Sequence, residues 1–236
     1  MLKITNLKVN YQKQAIVKGV SLALDRGEMV ILMGPNGSGK STLANALMGH
    51  PHYAVKSGRI ELDGQDITQA EPEEKVKQGL FLAWQNPMAV AGVSLTKLVR
   101  ELNLFKNDVV SVVKSLRQYA KKMNFSDSLL LRGLNDGFSG GERKKLEMLQ
   151  AIFLAKKYVL FDEIDTGLDV DALKAIAKEI NLLKRKNLGC LVITHYHRLI
   201  KLLDFDKVMV MRQGKIVKTG GRALAEKIEN HGYTSI

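Results

Sequence analysis

Hydrophobic and polar positions alternate along the first third of the chain. Residues 3–9 and 15–24 switch between polar and apolar side chains from one position to the next, as strands with one buried face do. A continuous apolar strand over 29–33 follows and ends at a glycine-rich turn. The pattern then predicts a helix over 43–48, a hairpin over 59–64, a short helix over 73–77 and a strand over 80–84. The chain thus begins as a β-rich segment joined to a βα unit.

The hydrophobic period changes in the middle of the chain. Residues 93–105, 108–125 and 140–155 all predict amphipathic helices, with no convincing strand between them. Apolar strands alternate with helices again afterwards. The predicted strands cover 158–161, 190–194, 207–211 and 215–218, and the predicted helices cover 170–186 and 198–203. Apolar strands separated by helices indicate a mostly parallel, doubly wound sheet that is covered on both faces.

This organisation predicts a single α/β domain over 1–236. We expect 1–85 and 156–236 to form its core, with a helical insert over 86–155. Because 45% of the residues are hydrophobic, 25% are charged and only 4 are Pro, the chain can bury a core and is not disordered.

Several functional classes are excluded by composition. The apolar runs are far shorter than the ~20 residues of a membrane-spanning helix, so we expect no direct membrane insertion. The start shows no signal or transit peptide, which predicts a cytoplasmic protein. The single cysteine, Cys190, excludes an internal disulfide and a multi-cysteine metal or cluster site within one chain. It lies in an apolar run and is expected to be a buried small hydrophobe.

The chain is basic, with 36 Lys and Arg against 24 Asp and Glu and a net charge of +12. Such charge can indicate nucleic acid or a membrane surface as a partner. The basic residues are dispersed, however: 121–122, 143–145 and 184–186 lie in separate predicted helices, interleaved with acids. A solvated surface is the favoured interpretation, and we expect no nucleic-acid partner.

A phosphate-binding turn lies between the apolar strand 29–33 and the next helix. It fits the pattern G-x-x-x-x-G-K-[ST], in which backbone N–H groups surround phosphate oxygens and the helix N-terminus adds positive charge. Lys40 is expected at the β- and γ-phosphates, Ser41 at Mg²⁺ and Thr42 at the α-phosphate. The turn consists of Gly34, Pro35, Asn36, Gly37, Ser38, Gly39, Lys40, Ser41 and Thr42. The motif predicts a nucleoside triphosphate site.

Two acids end the predicted strand 158–161. Asp162 is placed at the carboxyl edge of the sheet, where α/β sheets bind ligands, and can hold Mg²⁺ directly or through water. Glu163 is the natural group to polarise the attacking water. Helix capping is the alternative when the acids are considered alone, and the phosphate-binding turn favours the catalytic interpretation.

Residues 138–142 read FSGGE and resemble the signature sequence of ATP-binding-cassette (ABC) ATPases. Phe138 and Glu142 stand where Leu and Gln are commoner. Ser139, Gly140 and Gly141 open a predicted helix and so offer a second anion-binding N-terminus. On its own, Ser-Gly-Gly is only a helix cap.

Further motifs follow in the order that this family has. Gln85 occupies the position of the Q-loop glutamine, and the D-loop position, 165–169, begins with Asp165. His195 ends the predicted strand 190–194, as the family's switch histidine does, and Tyr11 lies where the family places an aromatic ring against adenine. The resemblance to ABC ATPases therefore covers nearly the whole chain.

The resemblance implies a phosphate-loop (RecA-like) core with an N-terminal antiparallel β subdomain and an inserted helical subdomain. It also implies ATP and Mg²⁺ as cofactors and a composite site, because two cassettes pair head to tail and each closes its signature sequence over the other's ATP. It implies nucleotide contacts from Tyr11, Ser139, Gly140, Gly141 and Asp165, a Mg²⁺ contact from Gln85 beside Ser41 and Asp162, and catalytic roles for Glu163, His195, Gln85 and Lys40.

Local stretches are similar to one branch of the family, the SufC-type ATPases of SUF iron–sulfur cluster assembly. The resemblance implies SufB- and SufD-like scaffold partners, a second copy of the chain in the ATP-bound state, and a cluster carried by those partners. The similar stretches are 48–53, 79–87, 135–145, 162–174, 194–199 and 232–233.

Some positions depart from that branch. Residues 88–93 lack the expected Glu and Pro, Trp84 replaces Phe and His197 replaces Gln, which leaves the partner contacts beside the Q-loop open. The alternative is the nucleotide-binding subunit of an ABC membrane transporter, whose permease is a separate chain. A nucleic-acid-working cassette has only the charge in its favour. His50 and His52 are interpreted as loop residues rather than metal ligands.

Overall fold

The computed structural model describes residues 1–101 and 109–233. Its strands are β1 (Leu2–Tyr11), β2 (Gln14–Leu24), β3 (Met29–Met33), β4 (Tyr53–Leu62), β5 (Gln65–Asp66), β6 (Leu80–Ala83), β7 (Val90–Ser94), β8 (Gly133–Leu134), β9 (Tyr158–Asp162), β10 (Gly189–Ile193), β11 (Lys207–Arg212) and β12 (Lys215–Gly220). Its helices are α1 (Lys40–Met48), α2 (Pro72–Gln78), α3 (Leu95–Glu101), α4 (Val109–Lys122), α5 (Asp127–Leu131), α6 (Gly140–Leu154), α7 (Val170–Arg185), α8 (His197–Leu202) and α9 (Arg222–His231).

A six-stranded sheet in the order β12-β11-β3-β10-β9-β6 forms the centre of the molecule. All neighbouring strands run parallel except β12, which pairs antiparallel with β11. Both faces are covered, because successive residues of β3 enter different cores: Met29, Ile31 and Met33 pack on one side, and Val30 and Leu32 on the other. The predicted α/β class with a mostly parallel sheet is confirmed.

The alternating segments at the start form a separate four-stranded antiparallel sheet, β2-β1-β4-β5. Its turn residue Asp63 connects it to the start of β9, where the carboxylate accepts hydrogen bonds from Lys157 Nζ and the Tyr158 hydroxyl, each at 2.8 Å. The Arg26 guanidinium lies 3.5 Å from the same carboxylate. One aspartate thus joins the two sheets.

The middle region contains a small sheet that the sequence pattern missed. β7 pairs antiparallel with β8, so the prediction of helices without strands over 93–105 was wrong at its beginning: Val93 lies in β7 and α3 starts at Leu95. β8 has only two residues, and those of β7 are exposed or half-buried. Neither therefore shows the apolar alternation on which strand prediction depends. Residues 102–105 of that predicted helix lie outside the described residues.

Other boundaries differ by a few residues from the sequence pattern. The pattern predicted no element after 218, whereas α9 packs Leu224, Ala225 and Ile228 into the core. None of the helices in the described part of the chain combines the length and the apolar character that crossing a bilayer requires.

Candidate functional site

The carboxyl ends of the central strands place the predicted motifs at one edge of the sheet. Ile193 of β10 is in register with both Asp162 of β9 and Leu32 of β3, and Ala83 of β6 is in register with Phe161. The segments that follow these parallel strands therefore meet at the same edge.

The phosphate-binding turn follows β3 directly. Gly34 has φ of 154°, and a Cβ there would lie 2.1 Å from the Met211 carbonyl oxygen, so only glycine fits. Gly39 is left-handed, with φ of 106°, and caps α1 without a side-chain hydrogen bond. The first turn of α1 therefore presents backbone N–H groups that no capping side chain occupies.

Lys40 lies across this turn. It is only 5% exposed, and its Nζ donates hydrogen bonds to the carbonyl oxygens of Gly34 at 2.9 Å and Pro35 at 3.2 Å. Burial lowers the pKa of this ammonium, against the opposing effect of Glu163 and Asp162. The two loop carbonyl oxygens thus hold the Lys40 ammonium group at a place where phosphate oxygens can take over as its hydrogen-bond acceptors.

Ser41 and Asp162 form the best-fitting part of a magnesium site. The Ser41 hydroxyl donates to Asp162 Oδ1 at 3.0 Å. Burial raises the pKa of Asp162 to about 6, and the neighbouring charge of Glu163 adds to this shift. A hydroxyl and a carboxylate this close supply the oxygen ligands that Mg²⁺ prefers. Bound there, the cation would neutralise charge on phosphate oxygens.

Glu163 is held in an unusual backbone conformation. Its φ of 49° is left-handed, a region that glutamate rarely adopts, and its N–H donates to the Ile193 carbonyl at 3.0 Å. Its side chain accepts a hydrogen bond from Gln85 Nε2 at 2.5 Å and lies 3.4 Å from His195 Nδ1. Such local strain is typical of functional sites, because the surrounding structure must enforce it.

The segment that carries His195 is fixed from behind by Asp165. Thr194 Oγ1 donates to Asp165 Oδ2 at 2.6 Å and accepts from the Tyr196 N–H at 2.9 Å. Burial raises the pKa of the Asp165 carboxyl. Asp165 thus contacts the segment that carries His195 in its own chain, and it does not line the cleft that contains Lys40 and Glu163.

Several of the residues described above line a cleft of about 400 Å³. Ile16, a half-buried residue of β2, is a wall residue that the sequence analysis missed, because nothing in an alternating strand marks one apolar residue as a ligand contact. The predicted site residues that line the cleft are Asn36, Gly37, Gly39, Lys40, Ser41, Thr42, Gln85, Glu163 and His195.

Other predicted site residues lie elsewhere in the chain. Tyr11 ends β1, is 39% exposed and packs against Tyr53 with ring centroids 5.2 Å apart. Ser139 caps α6: its Oγ accepts from the Glu142 N–H at 3.3 Å, and Glu142 Oε2 accepts from the Ser139 N–H at 2.7 Å. Gly140 is exposed beside it. The signature sequence is thus well formed and outside its own chain's cleft.

A family model described as ABC transporter matches residues 17–166, well over half of the chain. The chain belongs to the ABC transporter family. The match includes the phosphate-binding turn, Gln85, the signature sequence, Asp162 and Glu163. The chain is therefore an ATPase, as the sequence analysis expected.

Two relatives and one solved structure are similar to this ABC cassette. It is 44% identical to Vegetative protein 296 of Bacillus subtilis, over 98% of this chain and 91% of that protein. It is 43% identical to a probable ABC transporter ATP-binding protein of Streptococcus pyogenes, over 100% of this chain and 94% of that one. The fold matches a dimeric, post-hydrolysis structure of the cassette MJ0796 bound to ADP and Pi, with a TM-score of 0.78 and 19% identity. The match covers 93% of this chain and 98% of that one.

Two buried residues of the cassette's signature helix α6 contact the Q-loop, and the sequence analysis missed both. Residues 143–145 were interpreted as a solvated basic face. That interpretation was wrong for Lys144, which is 6% exposed and donates to the Gln85 carbonyl oxygen. Glu147, one helical turn further, accepts from the Trp84 N–H at 3.0 Å. The local sequence offers no signal for either residue, because both look like ordinary charged residues of a helix.

Beside the Q-loop, the cassette has a mostly apolar groove of about 490 Å³. Met88 is 85% exposed at this groove. His50 contacts Trp84 with ring centroids 5.9 Å apart and His52 at 5.1 Å, so the histidine pair forms part of an aromatic cluster. The groove is lined by Met48, His50, Pro51, Pro72, Trp84, Asn86, Pro87, Met88, Val90, Leu134, Asn135, Glu147 and Gln150.

Proposed function

We propose that this ATPase is one subunit of an assembly in which two copies close around ATP and drive a change in a separate partner protein. The separation between cleft and signature sequence carries the proposal. Ser139 and Gly140 are exposed, and neither lines the cleft of its own chain. The helix that begins at these residues, α6, is fully formed. A second copy can supply this helix N-terminus to the γ-phosphate.

The chemistry of the cleft is assigned accordingly. Glu163 polarises the attacking water, Gln85 donates a hydrogen bond to its carboxylate, and His195 lies beside that carboxylate. Lys40 moves from the loop carbonyls to the β- and γ-phosphates, and His195 stabilises charge on the γ-phosphate. Ser41 and Asp162 would hold Mg²⁺, with Gln85, which lines the same cleft as Ser41, as a third ligand.

The first candidate partner is the permease of a membrane transporter. The family description and the printed name of the Streptococcus pyogenes relative support it. These two findings support a permease more directly than they support any other kind of partner. The apolar groove beside Gln85 can take a segment of such a partner, and that segment would then contact the Q-loop.

The second candidate is the scaffold of SUF iron–sulfur cluster assembly, with SufB- and SufD-like partners. It rests on the similar stretches quoted above, which include 79–87 at the Q-loop and 135–145 at the signature sequence. Cys190 is fully buried, and burial raises the pKa of its thiol to about 12, so it is unsuited to holding a cluster. Iron and sulfur would be carried by the partners.

Affinity isolation of the tagged protein from its native cells separates the two candidates. Recovery of a polytopic membrane protein, only in detergent, supports the transporter, and recovery of scaffold proteins without detergent supports SUF assembly. Met88→Glu should release either partner from the groove. Val217→Glu, a substitution at a 48% exposed residue outside the groove, is the matched control.

Closure with a second copy is tested separately. ATP hydrolysis per subunit should rise with protein concentration, because two chains complete each site. A rate per subunit that stays constant from far below to far above the working concentration would contradict the composite site.

A further inference from the structure

The signature helix α6 holds the Q-loop backbone at two points. Glu147 Oε2 accepts the Trp84 N–H at 3.0 Å, and Lys144 Nζ donates to the Gln85 carbonyl oxygen at 2.5 Å. The two residues are three positions apart on α6 and so lie on one helix face. Together they fix the N–H of Trp84 and the carbonyl group of Gln85. These two groups are the ends of the dipeptide that carries the glutamine side chain.

Glu147 is itself tightly held. It is only 2% exposed, and its second oxygen, Oε1, accepts a hydrogen bond from Gln150 Nε2 at 2.8 Å. Each carboxylate oxygen therefore has a donor, and the Lys144 ammonium adds a favourable charge nearby. A buried carboxylate with both oxygens occupied has one orientation available.

The restrained dipeptide ends in the catalytic cleft. β6 ends at Ala83, so the Trp84 N–H is the first one after the sheet ladder, and nothing in β6 itself fixes the residues that follow. The Gln85 side chain must nevertheless reach Glu163 Oε2, with which it makes a 2.5 Å hydrogen bond. The orientation of this amide thus depends on where its backbone is held.

We propose that Glu147 is a positioning residue for ATP hydrolysis, which holds the Trp84 N–H so that the Gln85 side chain meets Glu163. Glu147 touches neither nucleotide nor water; it acts through the Q-loop. The inference needs only the ATPase activity of the chain and is independent of which partner fills the groove.

Two substitutions of Glu147 test this role. Glu147→Ala removes the acceptor for the Trp84 N–H. Glu147→Met also removes this acceptor but keeps a side chain of similar length. Displacement of a catalytic group by about 1 Å lowers rates by up to ~100-fold, so we expect kcat to fall by about 10- to 100-fold in both variants. Because nucleotide contacts are unchanged, KM for ATP should stay within about twofold.

A conservative variant distinguishes positioning from general stability. Glu147→Gln keeps an oxygen that accepts from the Trp84 N–H, and the Gln150 amide can turn so that its own oxygen accepts from the new N–H₂. We therefore expect Glu147→Gln to retain most of the wild-type kcat. Trp84 is the single tryptophan, so its fluorescence should shift in Glu147→Met and stay as in the wild type in Glu147→Gln.

Glu179→Met is the matched control. Glu179 is a 5% exposed glutamate on α7, away from the cleft, and burial raises the pKa of its carboxyl as it does for Glu147. Normal kcat in Glu147→Met, or equal loss of kcat in Glu147→Met and Glu179→Met, would overturn the proposal. So would a rise in KM at unchanged kcat, or a Glu147→Gln variant no more active than Glu147→Met. If Glu147→Ala does not fold, Glu147→Met and Glu147→Gln decide the outcome.

Discussion

Gln85 Nε2 donates a hydrogen bond to Glu163 Oε2 at 2.5 Å, across the cleft between two strands of the sheet. The other Glu163 oxygen lies 3.4 Å from His195 Nδ1. The carboxylate is therefore hydrogen-bonded to the side chain that follows β6 and lies beside the one that follows β10, while its own backbone is held in a left-handed conformation. The whole arrangement fixes one carboxylate and leaves the phosphate-binding turn open beside it.

Replacing Glu163 by Gln should separate ATP binding from hydrolysis. The amide cannot take a proton from water, so we expect kcat to fall by about 10²- to 10⁴-fold, the usual contribution of a positioned general base. The Kd for ATP should change little, because Lys40 and the turn are intact. Single-turnover hydrolysis and equilibrium nucleotide binding measure the two effects, with Glu229→Gln at the surface as the control. Turnover near that of the wild type would remove Glu163 as the base.

Ser41→Ala should raise the requirement for Mg²⁺. The Ser41 hydroxyl lies 3.0 Å from Asp162 Oδ1, and the variant leaves that carboxylate as the nearest oxygen ligand. Loss of one ligand should raise the Mg²⁺ concentration for half-maximal hydrolysis by about tenfold or more, as loss of metal-site contacts commonly does. Mg²⁺ titrations at saturating ATP measure this. An unchanged midpoint, equal to that of Ser21→Ala on β2, would contradict the assignment.

His195→Ala should lower turnover more than nucleotide affinity. The imidazole faces the cleft beside Glu163, where it can stabilise charge that develops on the γ-phosphate. We expect kcat to fall by about 10²-fold or more with KM for ATP within about threefold. His197→Ala, two residues further along the chain and outside the cleft, should retain activity. A variant with raised KM and normal kcat would assign His195 to binding instead.

The sequence predicts the cleft well because its motifs are local. The turn from Gly34 to Thr42 and the pair Asp162 and Glu163 each directly follow an apolar strand, and parallel strands bring their carboxyl ends to one edge. Local pattern alone was enough to place these residues. To bring the two motifs together, it was enough to assume that the apolar strands before them belong to one parallel sheet.

Contacts between distant elements could not be predicted in the same way. Lys144 and Glu147 look like ordinary charged residues of a helix, and only the packing of α6 against the end of β6 buries them. Ile16 lines the cleft because the β2 strand lies beside the phosphate-binding turn, which no local pattern reveals. α9 was missed because its segment is mostly polar, although Leu224, Ala225 and Ile228 lie at helical spacing.

Asp63→Asn should destabilise the fold in a pH-dependent way. Hydrogen bonds from Lys157, with further donors around it, hold the pKa of the Asp63 carboxyl well below its usual range. A carboxyl whose pKa is lowered by folding contributes its full stability above the unfolded pKa and loses it as the pH falls towards the folded pKa. The side chain is 31% exposed, so solvent screens part of the effect. We expect the variant to lose about 1 kcal/mol in the free energy of unfolding near neutral pH, which is less than the ~1.5–3 kcal/mol of a buried hydrogen bond to a charged group because solvent screens this one.

The difference between wild type and Asp63→Asn should therefore shrink as the pH falls from roughly 5 towards 2. Urea unfolding at a series of pH values measures it, with Asp171→Asn as the control, because Asp171 is 92% exposed and its ion pair with Lys174 is 3.9 Å long. The Asn side chain keeps an acceptor for the Tyr158 hydroxyl, but its N–H₂ replaces the oxygen that accepts from Lys157 Nζ, so the measured loss combines the charge with that contact. A difference that stays constant across this range would show that the Asp63 charge does not stabilise the junction between the two sheets.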